Sequence, residues 1–440
     1  MQLKIISLYI ENYQQFKDFN INFCDANDQP LHRICLIGRN GTGKTTILKL
    51  LRDFVRCLDT TITGYNYADF ANEYNFSFKI YFFALGEIWE RWIFQSVDNS
   101  SWFERIYNKK LIRELDFHTE TSYLFSEYLF TYFTHSDLTA DFYQHKLPQT
   151  NLHEALKLNF EKNVQNVDIS AKDESINSFW RLLIFKLQNR RNLFDKFLSQ
   201  HEEKTVKEVR AEFDIKYPSI LTGLADIWNK ILSISGLYFD EKAVNSPATN
   251  NDNLEAFVKV KATGETLGYN ELSTGIRDFM FKIGYLYTLY FEQENKEKNS
   301  NFLFMDEPEN GLFADFLYNY LDDYLPFTKN NTQLFMATHS PIVASQFEPY
   351  EKRILDFDEN HQLTVRNGIA PIGDDVNDVL KADFQTNVYN RHPKAKAAWD
   401  RYLQLLSLIS ANEDKAEKKK LVSEYLKLGQ LYNFPAPDNL

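Results

Sequence analysis

The stretch that decides the fold is Gly38-Arg39-Asn40-Gly41-Thr42-Gly43-Lys44-Thr45, which matches G-x-x-x-x-G-K-[ST] at every fixed position. An apolar run, Ile34–Ile37, comes directly before it and predicts a buried strand. Apolar residues at helical spacing follow it, from Ile47 to Leu58. A strand, a glycine-rich turn and a helix in this order predict a site for a nucleoside triphosphate. A chance glycine-rich turn is the alternative, and it does not account for the flanking strand and helix.

The residue types of this stretch suit phosphate chemistry. Glycines allow backbone N–H groups to turn inward around phosphate oxygens, and the start of the helix directs its positive end at the same oxygens. Lys44 would add a charge on the β- and γ-phosphates, and the Thr45 hydroxyl would bind Mg²⁺. We therefore expect ATP and Mg²⁺ as ligands. The residues expected to contact the nucleotide are Gly38, Arg39, Asn40, Gly41, Thr42, Gly43, Lys44, Thr45 and Thr46.

Composition indicates a folded protein in a reducing compartment. The chain has 440 residues, of which 44% are hydrophobic and 25% charged, so two or three domains are expected. Its cysteines, Cys24, Cys35 and Cys57, show no metal-binding spacing and suggest no disulfide framework. We expect no signal peptide and no membrane span, hence a cytoplasmic protein. A net charge of −12 argues against nonspecific nucleic-acid binding by the whole surface.

Two strand pairs are predicted in the first part of the chain. Residues 2–11 and 18–24 alternate in polarity as strands do. Phe76–Phe83 and Glu87–Gln95 predict an antiparallel pair, continued by Lys110–Phe117. Residues 118–153 are aromatic, polar and irregular, and their histidines match no metal site.

The pattern turns helical from Leu152 to Leu237. It predicts one long amphipathic helix around Phe179–Phe197 and further helices at Val206–Phe213 and Ile220–Ile234. The long helix carries a basic strip that could face DNA or RNA, although a solvated helix face is the commoner explanation of such a run. The strip consists of Arg181, Lys186, Arg190, Arg191 and Lys196.

Two later strands each end in polar residues that suit phosphate hydrolysis. Phe302–Met305 is followed by Asp306-Glu307-Pro308-Glu309, a Walker B arrangement. Asp306 would hold Mg²⁺ from outside its inner coordination sphere, and Glu307 would orient or deprotonate the attacking water. The next strand, Gln333–Met336, leads to Thr338-His339-Ser340, which would present an imidazole to the γ-phosphate. A core histidine is the alternative for His339.

A fourth motif, Leu272-Ser273-Thr274-Gly275, opens a long apolar helix. It resembles the L-S-G-G signature of ABC-type ATPases, with Thr274 in place of a glycine. Taken alone, it would be a helix cap. In that family the signature faces the γ-phosphate bound by a second subunit. The resemblance therefore implies a homodimer or higher oligomer that sandwiches ATP, with Ser273 and Gly275 acting across it.

Within ABC-type ATPases the chain resembles the stand-alone AAA family ATPases of the RecF/OLD branch, related to SMC proteins. The marks are Tyr13–Phe19, Met305–Leu312 and Ala337–Pro341, and the resemblance covers about residues 1–58 and 250–370. Phe313 stands where the family usually has histidine. The family's Q-loop glutamine is not placed, and Gln144 and Gln149 are the candidates.

The resemblance implies an α/β fold, an ABC-type P-loop NTPase head with an inserted β and helical lobe and a helical C-terminal tail. The expected head is discontinuous and comprises residues 1–58 and 250–372. An antiparallel β and irregular part (59–150) and a helical insertion (151–249) would interrupt it. The helical tail would comprise residues 373–440.

The smallest relatives that the chain resembles are ATPase subunits of bacterial anti-phage systems, such as Septu, including versions linked to retrons, and PARIS. In these systems the ATPase controls a separately encoded nuclease or toxin. Asp356 and Asp358 are expected to form a strand end and turn, because the tail is too short for a Toprim nuclease. The effector would dock on the tail around Trp399–Leu431. The alternative is a RecF-like DNA-repair ATPase that acts on DNA directly.

Overall fold

The structure is a computed structural model that describes residues 3–57, 76–84, 87–95, 102–108, 113–114, 129–133, 166–169, 173–201, 203–241, 258–267, 271–290, 301–325, 332–385, 393–412, 414–432 and 434. The chain divides into two compact units, Met1–Val379 and Leu380–Leu440. Each unit is described by itself.

The strands of the described part are β1 (Lys4–Tyr13), β2 (Phe16–Asn22), β3 (Arg33–Gly38), β4 (Phe78–Ala84), β5 (Glu87–Gln95), β6 (Trp102–Asn108), β7 (Arg113–Glu114), β8 (Leu129–Phe133), β9 (Asn166–Ile169), β10 (Leu237–Phe239), β11 (Val258–Val260), β12 (Thr266–Leu267), β13 (Asn301–Asp306), β14 (Thr332–Thr338), β15 (Lys352–Phe357) and β16 (Leu363–Asn367). The α-helices are α1 (Lys44–Cys57), α2 (Asp173–Ser199), α3 (Val206–Lys216), α4 (Ile220–Ile234), α5 (Thr274–Tyr290), α6 (Pro341–Ala344), α7 (Val376–Ala382), α8 (Pro393–Ala411) and α9 (Lys415–Tyr432).

The central sheet has the strand order β16-β15-β3-β14-β13-β8-β9. Its neighbours are parallel, except that β16 is antiparallel to β15. The apolar runs Ile34–Ile37 and Phe302–Met305 are buried, as expected of strands covered on both faces. Because β14 lies between β3 and β13, the carboxyl ends of these strands meet at one edge of the sheet. The predicted α/β P-loop fold is confirmed.

An antiparallel sheet, β2-β1-β4-β5-β6-β7, lies in the same unit. The predicted β4–β5 pair is confirmed, and β4 also pairs with β1, with Leu8 opposite Ile80. The predicted continuation at Lys110–Phe117 is confirmed for Arg113–Glu114, which extends the same sheet. The strand that pairs with β5 directly is Trp102–Asn108, with Phe94 opposite Phe103, and the sequence had not indicated it. Cross-strand aromatic pairing selected the earlier segment.

The central sheet also takes two strands that the sequence did not indicate. β8 lies in the stretch predicted to be irregular, and β9 lies in the stretch predicted to be helical. Both are parallel, with Leu303 of β13 opposite Thr131 of β8. The hydrogen bonds that make β8 a strand come from β13, about 170 residues later in the chain, so local propensity does not reveal them. Residues 134–153, the remainder of the stretch predicted to be irregular, lie outside the described residues.

A single apolar cluster connects α1 with strands of both sheets. The rings of Phe54 on α1 and Phe82 on β4 lie 5.4 Å apart, and Phe23 contacts Phe335 of β14 edge-on at 5.1 Å. The buried amide of Gln333 adds three hydrogen bonds, accepting from Ile5 N (2.8 Å) and donating to the carbonyls of Ile5 and Leu31. The β1–β2 hairpin is thereby held beside β14, the strand that neighbours β3 in the central sheet.

The predicted helices α2, α3 and α4 are confirmed. α3 begins with a capping box in which Thr205 accepts from the Glu208 amide and Glu208 accepts from the Thr205 amide. α4 is almost entirely apolar on its buried side, and the indole of Trp228 donates to the Met280 carbonyl of α5 (2.9 Å). α5 and α4 therefore pack as one apolar layer within the first unit.

The second unit contains the helical hairpin of α8 and α9. Tyr402 and Tyr425 stack with their ring centroids 4.2 Å apart, and their hydroxyls are joined by a hydrogen bond of 2.6 Å. Arg401 makes a two-pronged contact with Glu424 at 2.8 and 3.0 Å. The predicted helical tail is confirmed. Among the described helices, none is both long and apolar enough to cross a membrane.

Candidate nucleotide site

The glycine-rich stretch forms a tight loop between β3 and α1. Gly41 and Gly43 have φ angles of 83° and 88°, which only glycine adopts without strain. A side chain on Gly43 would also collide with the β1–β2 hairpin, because its Cβ would lie 2.2 Å from Phe16 Cζ. Arg39 and Asn40 are exposed. The loop is therefore shaped by glycine conformation and by the hairpin packed against it.

Lys44 is folded over this loop. Its Nζ donates to the carbonyls of Gly38 (2.8 Å) and Arg39 (3.3 Å). Burial lowers the pKa of Lys44, while the carboxylates of Glu307, Asp306 and Glu309 act in the opposite direction. The site therefore combines one positive side chain, which suits phosphate oxygens, with three carboxylates, which suit a cation.

The Thr45 hydroxyl donates to Asp306 Oδ2 across 2.7 Å. These two residues are 261 positions apart in the chain, and the parallel strands β3 and β13 bring them together. The other oxygen, Asp306 Oδ1, is buried and has no hydrogen-bond partner among the described residues. Burial raises the pKa of Asp306, and the hydrogen bond from Thr45 opposes that rise.

This pair fits Mg²⁺. Magnesium prefers hard oxygen ligands and is commonly held by one or two protein groups together with phosphate oxygens and water. A threonine hydroxyl and a buried carboxylate with one unpaired oxygen are such groups. Asp306 and Thr45 would therefore hold the cation, with the phosphates of the nucleotide completing its coordination.

Glu307 follows Asp306 directly in the chain and has a strained backbone conformation. Its φ of 48° is unusual for a residue with a side chain. Its amide donates to the Ala337 carbonyl (2.9 Å), which fixes the bend at the end of β13. Its Oε2 accepts from Asn310 Nδ2 (2.7 Å), and its Oε1 lies 3.2 Å from His339 Nε2. The bend therefore directs the carboxylate at the imidazole that follows β14.

His339 is about one-third exposed, as is Glu307. Burial and the charge of Lys44 lower the pKa of His339, and Glu307 acts against them. A proton on His339 Nε2 would face the Glu307 carboxylate, 3.2 Å away. The two side chains are both partly exposed, so both can reach a ligand.

The sequence did not single out Glu309, which links these elements. The carboxylate is buried, and its Oε1 accepts from Thr338 Oγ1 (2.6 Å), His339 N (2.8 Å) and Ser340 N (3.1 Å). The available signal was the second glutamate of D-E-P-E, facing the threonine of T-H-S. Residues 38–45, 306–309 and 338–340 together are called the polar edge below.

The signature residues have a different environment. The Ser273 hydroxyl accepts from Ile276 N (3.4 Å), a bond local to the start of α5. Gly275 packs on Gly311, whose carbonyl oxygen would lie 1.8 Å from a Cβ added at Gly275. Gly275 must therefore be glycine for close packing within the chain. The side chain of Thr274 lies outside the described ones.

The described residues of the basic strip have different environments. Arg190 contacts Asp214, donates to the Tyr217 carbonyl (3.0 Å) and stacks over Phe213, so it joins α2 to α3. Arg191 and Lys196 are exposed, and the side chain of Arg181 lies outside the described ones. Arg190 serves the helix pair and was wrongly grouped with the exposed positions.

Two further predictions concern single residues. Asp358 Oδ1 accepts from the amides of Asn360 (2.9 Å) and Gln362 (2.8 Å), which makes it the turn residue expected between β15 and β16. Asp356 lies on β15, and its Oδ1 accepts from the amide of Phe357. Gln144 and Gln149, the Q-loop candidates, lie outside the described residues.

The fold and the polar edge together define a P-loop ATPase. Residues 3–344 match the family described as AAA ATPase domain, which spans well over half of the 440 residues. The chain belongs to this family. No curated protein matches the sequence.

Solved structures with a distant likeness are SMC heads. An Smc head bound to the C-winged helix domain of ScpA has a TM-score of 0.40, and one from Pyrococcus furiosus with an extended coiled coil, bound to the C-terminal domain of ScpA, has 0.41. The SMC head domain from Thermotoga maritima has 0.38. Each is 13% identical and covers 83% of this chain, and the alignments cover 98%, 96% and 98% of those chains. The family assignment rests on the domain match.

Proposed function

We propose that this chain binds ATP with Mg²⁺ and hydrolyses it at the polar edge. The observation that carries the proposal is the pairing of two contacts at neighbouring strand ends. Thr45 and Asp306 lie 2.7 Å apart, and Glu307 and His339 lie 3.2 Å apart. The first pair suits the cation and the second suits the attacking water, so both requirements of phosphoryl transfer are met side by side.

Each residue has a role that its environment supports. Lys44 and the amides of the loop hold the phosphates, and Thr45 and Asp306 hold Mg²⁺, which when bound neutralises charge on the phosphate oxygens. Glu307 orients the water and accepts its proton, because its carboxylate is held from both oxygens yet remains solvent-accessible. His339, whose imidazole lies 3.2 Å from Glu307 Oε1, contacts the γ-phosphate.

ATP hydrolysis in this chain serves as a switch. Two copies sandwich ATP, with Ser273 and Gly275 of each facing the phosphates held by the other. The nucleotide state controls a separately encoded nuclease or toxin, and the chain is the sensor subunit of a bacterial anti-phage complex. The resemblance to Septu and PARIS ATPases supports this role, and the separate compact unit Leu380–Leu440 supplies a candidate docking surface. The DNA-repair alternative is not favoured.

Replacement of Glu307 by Gln tests the enzymatic part. The variant should bind ATP as the parent does, while hydrolysis falls by roughly two or more orders of magnitude, the scale expected for loss of a positioned base. Binding is measured with a fluorescent ATP analogue and hydrolysis by phosphate release, each with Mg²⁺ and with chelator. Glu359→Gln, at an exposed turn, is the matched control. Parental hydrolysis by Glu307→Gln would refute its role.

The regulatory part is tested with the product of the neighbouring gene. The full chain should recover that protein from a mixture of the two purified components, and the recovered amount should depend on ATP. A variant with Leu403→Glu and Leu426→Glu, two exposed leucines of the second unit, should lose recovery and keep ATP hydrolysis. Equal recovery by this variant would place the docking surface elsewhere, and no recovery by the parent would refute the partnership.

A further inference from the structure

A buried carboxylate outside the assigned roles holds the segment that carries His339. Glu309 is 9% exposed, and one of its oxygens, Oε1, accepts all three hydrogen bonds described for its side chain. The donors are the Thr338 hydroxyl and the amides of His339 and Ser340. Because they belong to consecutive residues, one oxygen atom fixes the whole turn that follows β14.

The other hydrogen bonds of the turn are local to it. Thr338 Oγ1 also accepts from Ser340 N (2.9 Å), so the hydroxyl that donates to Glu309 is itself part of the turn. Ser340 then caps α6 through a contact with Val343 N (3.3 Å). Removing the acceptor would leave two amides and a hydroxyl in a buried place without their common partner, and the turn would rearrange to satisfy them.

We propose that Glu309 is a positioning residue for hydrolysis, which acts by setting the place of His339 relative to Glu307. Two hydrogen bonds fix the two ends of the contact. The Glu307 amide donates to the Ala337 carbonyl of β14, and the His339 amide donates to Glu309 Oε1. The 3.2 Å separation of the two side chains therefore depends on a third residue, which belongs to neither of the two contacts at the strand ends. This inference rests on the proposed ATPase function.

The position of Glu309 also joins the turn to the signature. Glu309 lies two residues before Gly311, which packs against Gly275 at the start of α5. The Leu312 amide donates to the Glu309 carbonyl (3.1 Å), so residues 309–312 form one tight turn. A displacement of Gly275 would therefore reach His339 through a short, hydrogen-bonded segment. Glu309 thus contacts the turn that carries His339 through its side chain and the turn that contacts Gly275 through its backbone.

Two substitutions separate the acceptor from the charge. Glu309→Met has a similar volume and no acceptor, whereas Glu309→Gln keeps an oxygen at the place of Oε1. In Glu309→Met, kcat should fall about tenfold to a hundredfold, the scale expected for misplacing a catalytic group by about an ångström, with ATP binding and KM unchanged. Glu309→Gln should restore kcat to within about threefold of the parent. A purely structural role would instead lower ATP binding and thermal stability together with kcat.

A double-mutant cycle with His339→Ala shows whether Glu309 acts through His339. In the His339→Ala background, Glu309→Met should lower kcat by less than about twofold, because the group that it positions is already absent. Independent, multiplicative losses in the two variants would overturn the proposal. Unchanged kcat in Glu309→Met alone would also overturn it.

Amide hydrogen exchange provides a readout that needs no hydrolysis. The amides of His339 and Ser340, measured on peptides spanning residues 335–345, should exchange at least about tenfold faster in Glu309→Met and at the parental rate in Glu309→Gln. Unchanged exchange in Glu309→Met would refute the positioning contact. A parent that does not hydrolyse ATP would refute the proposed function, and the exchange result would still decide on Glu309.

Discussion

The polar edge and the signature turn (Leu272–Gly275) differ in how much of their chemistry is completed within one chain. At the polar edge, side chains more than 250 residues apart meet, as Thr45 and Asp306 do at 2.7 Å. At the signature turn, the Ser273 hydroxyl has a local contact of 3.4 Å with Ile276 N, and Gly275 contacts the backbone of Gly311. One region is assembled by the sheet, whereas the other is a helix start with an exposed serine.

This difference agrees with the proposed role of the signature turn toward a second copy of the chain. Helix starts with a serine and a glycine are suited to bind an anion, since they present free amides and a positive dipole end. The polar edge already has its own loop and helix start for the phosphates. The signature turn therefore has binding capacity that its own chain's phosphate loop does not need, which fits a role toward the ATP of another copy.

The largest expected effect follows from removing the metal carboxylate. Asp306→Asn keeps the size of the side chain and loses its charge, so Mg²⁺-dependent hydrolysis should fall by about two to three orders of magnitude. The measurement is phosphate release as a function of Mg²⁺ concentration. Asp315→Asn, at an exposed position shortly after the polar edge, should behave as the parent does. Undiminished Mg²⁺-dependent hydrolysis in Asp306→Asn would place the cation elsewhere.

A smaller effect is expected at the joint between the two regions. In Gly275→Ala, the new Cβ would lie 1.8 Å from the Gly311 carbonyl oxygen, so the backbone of one segment must move. We expect kcat to fall about tenfold to a hundredfold, while ATP binding by the phosphate loop persists. Both are measured as for Glu307→Gln.

The matched control for this joint is Gly429→Ala. There the added Cβ would lie 3.4 Å from Tyr402, an ordinary van der Waals distance. This variant should keep its kcat. If Gly275→Ala also kept the parental kcat, the signature turn and the polar edge would be uncoupled.

The smallest effect on activity is expected at the opposite end of the central sheet. Lys4 lies beside the amino ends of β3 and β14; it is buried, and its Nζ has no hydrogen-bond partner among the described residues. Burial lowers the pKa of Lys4 to about 8 from its ordinary 10.5. Below pH 8 the lysine is charged in the folded and the unfolded chain, and the cost of burying the charge is fully present.

Stability should therefore rise with pH between about 8 and 10.5, where the unfolded chain binds more protons at this residue than the folded chain does. Lys4→Met should raise the free energy of unfolding by up to about 3 kcal/mol at pH 7 and flatten this rise, with kcat unchanged. Calorimetry across this pH range is the measurement, and the exposed Lys17→Met is the control. A less stable Lys4→Met variant would show that the lysine has a favourable partner.

The same contrast explains how much could be predicted from the sequence. The residues from Gly38 to Thr45 and the Asp306–Glu307 pair follow strands whose apolar runs are unmistakable, so their meeting at one edge follows from parallel pairing. The amphipathic helices α2 to α4 were predictable for the same reason, since their apolar residues recur at helical spacing.

What could not be predicted depends on contacts between distant segments. β8 became a strand of the central sheet because it pairs with β13, which no local pattern indicates. Glu309 became the support of the histidine turn because β13 and β14 end side by side. Arg190 of the basic strip contacts Asp214 because α3 packs beside α2. In each case, the partner lies on another element, so the pairing depends on how distant segments come together.

The most direct test of the comparison is the mass of the Glu307→Gln variant in solution, measured by light scattering with and without Mg²⁺ and ATP. We expect one chain of 51.9 kDa without nucleotide and two chains with it, because the signature turn of each copy would close on ATP held by the other. Adding Ser273→Arg should leave ATP binding intact and keep the protein a single chain. A single chain for Glu307→Gln under saturating ATP, or pairing that survives Ser273→Arg, would contradict it.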